Sequence, residues 1–196
     1  PVTFGLVGPL VGAHFAPFGK LDDICLTPRA MSLRRAIFSS LTHADDYHLY
    51  YNVGSLLAKG VLMERKFGSE LFLAFVVYSV VASAAIYLFF GWILADFFHA
   101  GCAVGFSGVL FSIKAALSLL EDNPQRQRSV WGVKVAAQHA HWLEIIVSSY
   151  INPRSSLLGH TAGALAGMLW VYLARYLSAP TQRHHRTRAT YTYAAG

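Results

Sequence analysis

The sequence predicts an all-α fold: a polytopic membrane bundle of six transmembrane helices. Three observations carry that expectation. Apolar residues make up 55% of the 196 residues, and the mean hydropathy is +0.42. Charged residues account for only 13%, about half the share in a soluble globular domain. Those charges avoid the long apolar runs and gather between them and in the tail, as in membrane proteins. Disorder is excluded by the apolarity, and a disulfide scaffold by a count of two cysteines. The net charge of +6 resembles a nucleic-acid footprint only until its positions are read. No zinc-finger or RNP-type motif accompanies it, so no nucleic-acid partner is expected.

The first window, residues 1–18, is apolar apart from His14 and is rich in Gly and Pro. Position 1 is Pro rather than Met, which suggests a clipped first span. The second window, 46–63, is weaker, because His48, Asn52 and Lys59 interrupt it. The third, 70–92, is the clearest. Residues 71–94 are 24 positions without a formal charge, about 36 Å as a helix, enough for an apolar slab of ~30 Å. The fourth, 99–120, is interrupted by His99 and Lys114, and the fifth, 136–151, is short and contains Glu144. The sixth, 155–177, holds His160. A membrane domain over 1–177 and a short basic cytosolic tail over 178–196 follow.

Six spans put both termini on one side. That side collects nine Lys and Arg between spans and in the tail, against five on the other, so the termini are expected in the cytosol. Trp142, Tyr150 and Trp170 read as interfacial anchors. Cys25 and Cys102 fall on the same non-cytosolic side, with free thiols expected and a disulfide as the alternative.

Polar groups inside lipid need a reason. Gly105-Phe106-Ser107-Gly108 opens the fourth window. Ser and Gly are ordinary at close helix contacts. A serine nucleophile beside a helix-start N–H is the functional alternative. His160 stands in a run with Gly159, Gly163 and Gly167 at i, i+4 and i+8, one smooth face for a neighbouring helix. A packing histidine is one reading and a general base the other. His48 and Asn52, at i and i+4, share a face and suit oxyanion stabilisation better than a metal, since no H-E-x-x-H or C-x-x-C pattern occurs. In the six-span topology all four side chains fall within ~15 Å of the non-cytosolic face, at 1.5 Å per residue. A nucleophile, a base and two donors at one depth fit acyl transfer.

The combination H-x-x-x-N (48–52), G-x-S-G (105–108) and G-H-x-x-G-x-x-x-G (159–167) resembles the rhomboid intramembrane serine proteases, over about residues 25–177. The turn at 63–69 is similar to the family's turn after its second span. HADDYHLYYN (43–52) and CAVGFSGVLF (102–111) resemble the endoplasmic-reticulum branch, of the rhomboid-domain-containing protein 1 type. The resemblance implies an endopeptidase with a Ser107–His160 dyad. His48, Asn52 and the Ser107 N–H would bind the oxyanion. His43, Gly105, Gly108, Gly163 and Gly167 would be supporting residues.

No cofactor and no metal are implied. Single-span or multi-span membrane proteins would be substrates, the lipid bilayer the medium and the endoplasmic-reticulum membrane the location. Animal members of that branch are expected to carry a longer cytosolic extension, so the basic tail is a candidate contact for cytosolic degradation machinery. The competing reading is a non-catalytic binder of the same fold that guides membrane clients to degradation. A small transporter using His and Asn as a polar relay ranks behind both, because it gives G-x-S-G no role.

Overall fold

The computed structural model describes residues 1–30, 32–94, 101–152 and 155–189, with side chains of helical residues described up to 177. The structure is mostly helical. Helix α1 (Val2–Phe15) is followed by two short helices, α2 (Leu21–Ile24) and α3 (Leu33–Leu41). Then comes a long rod of α4 (Asp46–Ser55), a π turn (Leu56–Gly60) and α5 (Val61–Phe67). Helices α6 (Ser69–Ile93) and α7 (Ser107–Leu119) precede a hairpin of β1 (Gln127–Val130) and β2 (Val133–Ala136). A 3-10 turn (Ala137–His139) leads into α8 (Ala140–Ile151), and α9 (Leu157–Ala189) closes the described chain.

A helix lies in each of the six windows, but the windows and the helices differ. Among the described residues, only α6 and the Leu157–Leu177 part of α9 are long and apolar enough to cross a membrane. Val2–Phe15 and Ser107–Leu119 are apolar but shorter. The fourth helix starts at Ser107 rather than at 99, because Gly105 has φ +107°, a left-handed conformation that α-helix cannot continue through. Residues 99 and 100 of that window lie outside the described residues. The fifth helix starts at 140, since residue 136 ends a strand.

That strand makes the fold not wholly helical. In the antiparallel hairpin Val130 pairs with Val133 across a two-residue turn. Trp131 (φ 51°) and Gly132 (φ 86°) supply the two positive φ angles that such a turn needs. Helix α9 runs past 177 to Ala189, so the start of the basic tail continues the helix. Residues 190–196 lie outside the described residues. Trp170 packs on Phe75 and Tyr78, with ring centroids 5.4 and 5.0 Å away. Cys25 and Cys102 are free thiols.

The core sits where α1, the α4–α5 rod, α6, α7 and α9 converge. Leu10, Leu56, Phe72, Phe75, Ile113 and Val171 are its centre. Helix α9 packs chiefly on α7 and α6. A Cβ at Gly163 would overlap the Gly108 carbonyl, and one at Gly167 the Ser112 carbonyl. These backbones therefore touch, as small-residue faces allow. Gly159 sits at the looser end of that contact: its carbonyl oxygen is 4.0 Å from where a Cβ of Gly108 would stand, while a Cβ on Gly159 itself would meet Ser156. Ser112 Oγ–H donates to the Gly163 carbonyl (2.7 Å) and Tyr78 O–H to the Ala166 carbonyl (3.1 Å), tying α7 and α6 to α9.

Glu64, just past the second window, closes the opposite corner. It accepts from the N–H groups of Val2 (2.6 Å) and Thr3 (2.9 Å) at the start of α1. The hydroxyls of Thr3 (2.6 Å) and Ser69 (2.5 Å) complete the set. A carboxylate at a helix start satisfies orphan donors and complements the helix dipole. Burial pushes the Glu64 pKa up, but the four hydrogen bonds outweigh it and hold the carboxyl down at about 2.

Two outcomes follow. Gly163→Val or Gly167→Val pushes α7 and α9 apart and should cost at least ~1–3 kcal/mol, read as a lower Tm in detergent. For Glu64 the folded pKa lies below the ordinary 4.5, so its stabilisation is complete above pH 4.5. The Tm of the wild type should fall as pH drops from 4.5 toward about 2, and Glu64→Gln should start lower and lack that acid limb.

Candidate active site

The site begins with the approach to α7. Leu26 and Ala103 exchange two backbone hydrogen bonds of 3.0 Å, and the Gly105 N–H donates to the Ser39 carbonyl (2.8 Å). Arg35 steadies this unit by donating to the carbonyls of Asp22 (3.1 Å) and Cys25 (2.8 Å). The segment 103–105 is thereby held extended against α3. The left-handed Gly105 then turns the chain into α7, with Ser107 as its first residue. The Ser107 N–H is one of the donors at a helix start that lack an intrahelical acceptor. Ser107 Oγ makes no hydrogen bond among the described residues, which leaves it open to a substrate atom.

His160 is buried in the first turns of α9. Its ring lies over Phe111, centroids 4.4 Å apart at 37°, and its Nδ1 is 3.4 Å from Ser148 Oγ. Ser148 donates its own proton to the Ile145 carbonyl (3.0 Å), so its oxygen is free to accept from an Nδ1–H. That pattern would leave Nε2 as the basic nitrogen.

Two cavities meet at Ser107 and His160, and both residues line both. The larger, about 260 Å³, extends toward α3 and α6. The smaller, about 140 Å³, lies between α4, α7 and α8. His48 lines both cavities, and Asn52 lines only the smaller. Asp45 caps α4 by accepting the His48 N–H (2.8 Å). The His48 ring lies so close to Gly105 that a Cβ there would stand 2.5 Å from its Cε1 and 2.6 Å from its Nε2. Asn52 is buried, and its Nδ2 donates to the His48 carbonyl (2.7 Å). The second proton on Nδ2 stays available.

His43 is not in either cavity wall. It is buried, packs edge-on to His48 with centroids 5.2 Å apart, and neither ring nitrogen has a hydrogen-bond partner among the described residues. Burial, and then the neighbouring His48, lower its pKa to about 4, so it is neutral at physiological pH. Gly108 abuts α9 through its carbonyl and Ser83 of α6, where a Cβ would come within 3.3 Å of Oγ. Gly163 and Gly167 set the α7–α9 spacing rather than touching a cavity. Among the described residues no group of three or more His, Cys, Asp or Glu could hold a metal ion.

A family model described as a rhomboid domain matches residues 30–177. The chain belongs to the rhomboid family. Rhomboid-related protein 4 of Homo sapiens is 36% identical over 181 residues, covering 87% of this chain and 56% of the relative. Rhomboid-like protein 14, mitochondrial, of Arabidopsis thaliana is 35% identical over 189 residues, covering 88% and 56%. The chain thus spans about half the length of these curated relatives. It is a membrane protein of this family, with apolar helices to match.

Four residues beside the candidate site are not among the site residues that the sequence singles out. Phe111 and Lys114 follow Ser107 at i+4 and i+7 and so share its helix face. Glu144 and Ser148 have the i, i+4 relation on α8. The spacing was readable, but only the fold brings α8 to α7. The closeness of His48 to Gly105 is testable. Gly105→Ala should destabilise strongly, by steric conflict plus a left-handed non-Gly residue, ~1–3 kcal/mol for the latter. His48→Ala combined with Gly105→Ala should cost less than the sum of the two single changes, in a double-mutant cycle of Tm or denaturant midpoint.

Proposed function

We propose that the protein is an intramembrane serine endopeptidase that cleaves single-span or multi-span membrane proteins within or beside the bilayer. The observation that carries this is the convergence of Ser107 and His160 on the same two cavities, with His48 and Asn52 in the wall. Ser107 Oγ attacks the scissile carbonyl carbon while His160 takes the hydroxyl proton. The tetrahedral oxyanion is held by the Ser107 N–H, Asn52 and His48, at up to ~3 kcal/mol per donor. Collapse expels the amine, which takes the proton from His160. Water then adds to the acyl-serine with His160 again as base, releasing the acid.

A substrate helix has to unwind locally, because an intact helix keeps its backbone bonded. The nine-to-five charge bias supports cytosolic termini around six membrane-embedded helices. The motif resemblance supports the endoplasmic-reticulum membrane, and the basic tail is a candidate contact for cytosolic degradation machinery.

Ser107→Ala should abolish cleavage of a single-span substrate without lowering Tm, and His160→Ala should be equally inactive. Asn52→Ala should lose ~10²–10³-fold in kcat as one donor among several. A serine-reactive fluorophosphonate should label the wild type and not Ser107→Ala. Labelling that survives Ser107→Ala, or no cleavage and no labelling in the wild type, would leave the non-catalytic binder as the better reading.

A further inference from the structure

His160 is supported from two helices, and both supports lead to the same ion pair. On α7 its ring lies over Phe111, with centroids 4.4 Å apart. The Lys114 ammonium sits over that same Phe111 ring, 4.5 Å from the centroid. On α8, Ser148 Oγ lies 3.4 Å from His160 Nδ1. Glu144 stands four residues before Ser148, so the two share a face of α8. Lys114 Nζ and Glu144 Oε2 meet at 2.7 Å and close the circuit. His160, Phe111, Lys114, Glu144 and Ser148 thus form one ring of contacts across α7, α8 and α9. The proposed chemical steps use neither Lys114 nor Glu144.

Apolar packing already joins these three helices, through a cluster of Phe111, Ala115, Ile145 and Ala164. Both charges are largely buried, in helix windows that are otherwise apolar, where a charge is costly. Matched apolar side chains in their place would often be neutral or stabilising. What the ion pair adds is direction and a fixed length. Through Lys114 it holds the Phe111 ring, and through Glu144 it holds the face of α8 that carries Ser148. Ser148 donates its own proton to the Ile145 carbonyl (3.0 Å), so toward Nδ1 it can only accept. Its position therefore decides which nitrogen of His160 bears the proton.

We propose that Lys114 and Glu144 are positioning residues for His160: a clamp that holds Phe111 and Ser148 at one spacing and so keeps Nε2 as the basic nitrogen. The inference rests on the protease reading above. Lys114 is two turns along α7 from Ser107, ~10 Å at 1.5 Å per residue, so the pair acts through the supports of His160 rather than on the reacting atoms. Loss of the clamp lets the imidazole tilt or change tautomer. That slows proton transfer from Ser107 and leaves substrate binding in place.

The test uses the full chain and a single-span substrate in proteoliposomes. It reads kcat, KM and the rate of fluorophosphonate labelling, with Tm in detergent. Lys114→Met with Glu144→Leu removes both charges at similar size. It should keep the Tm, yet lower kcat and the labelling rate by ~10–100-fold with KM little changed. Adding Ser148→Ala to this double variant should cost less than Ser148→Ala costs the wild type, because both act on one histidine. Glu144→Asp keeps both charges and shortens the reach by one methylene, so it should also lower kcat. Lys114→Arg added to Glu144→Asp restores the span and should recover most of that loss.

An apolar double variant that keeps the wild-type kcat and labelling rate overturns this inference alone. So does a loss carried by KM instead of kcat, or one that adds in full to that of Ser148→Ala. If the apolar pair lowers the Tm, the Glu144→Asp variant decides: wild-type kcat there overturns the inference. A wild type that neither labels nor cleaves overturns the protease reading, and this inference with it.

Discussion

The spacing of α7 and α9 governs everything around the candidate site. Where Gly163 meets the Gly108 carbonyl and Gly167 meets the Ser112 carbonyl, no side chain separates the two backbones. Ser107 begins one of these helices and His160 lies in the first turns of the other. One methylene of extra separation would therefore move Ser107 away from His160. The hydrogen bond from Ser112 to the Gly163 carbonyl adds a polar tie at the same place. A contact between main chains is stiff, because it offers no rotamers to adjust. The relative position of Ser107 and His160 is thus set by packing that begins one residue from the serine.

Two further constraints brace that pair from outside. Glu64 fastens the start of α1 to the end of the α4–α5 rod, which carries His48 and Asn52 on its upper part. The clamp of Ser39 on Gly105 fixes the loop that delivers Ser107, and Gly105 in turn leaves room for the His48 ring. A change in either brace would reach the site through backbone rather than through side-chain contact. The edge-on pair His43–His48 extends this chain of support toward α3 without entering a cavity.

The motif residues were legible because each has a local sequence signature: a serine among glycines, a histidine on a glycine face, an i, i+4 His–Asn pair. The glycine face packs most tightly at 163 and 167 and more loosely at 159, since periodicity does not reveal how near a neighbour comes. Helix ends were less legible. Apolarity runs from 99 to 120, but hydropathy cannot register that Gly105 adopts a positive φ, and so the start of α7 was placed too early. The β1–β2 hairpin was missed because Trp-Gly is an unusual pair for its turn, with a non-Gly residue held left-handed. The Lys114–Glu144 pair read as two interruptions, because residues 30 positions apart meet only through the packing of α8 on α7.

Helix α7 has 13 residues, about 20 Å of rise, against an apolar slab of ~30 Å. In a membrane protein that shortfall of roughly 10 Å has to be absorbed by the lipid or by the seating of the chain. Hydrophobic mismatch of this size draws neighbouring headgroups inward around the short helix. Its first residue, Ser107, which lines both cavities, then lies beside thinned bilayer. The shortness of one helix would thus bring headgroups and their water close to Ser107.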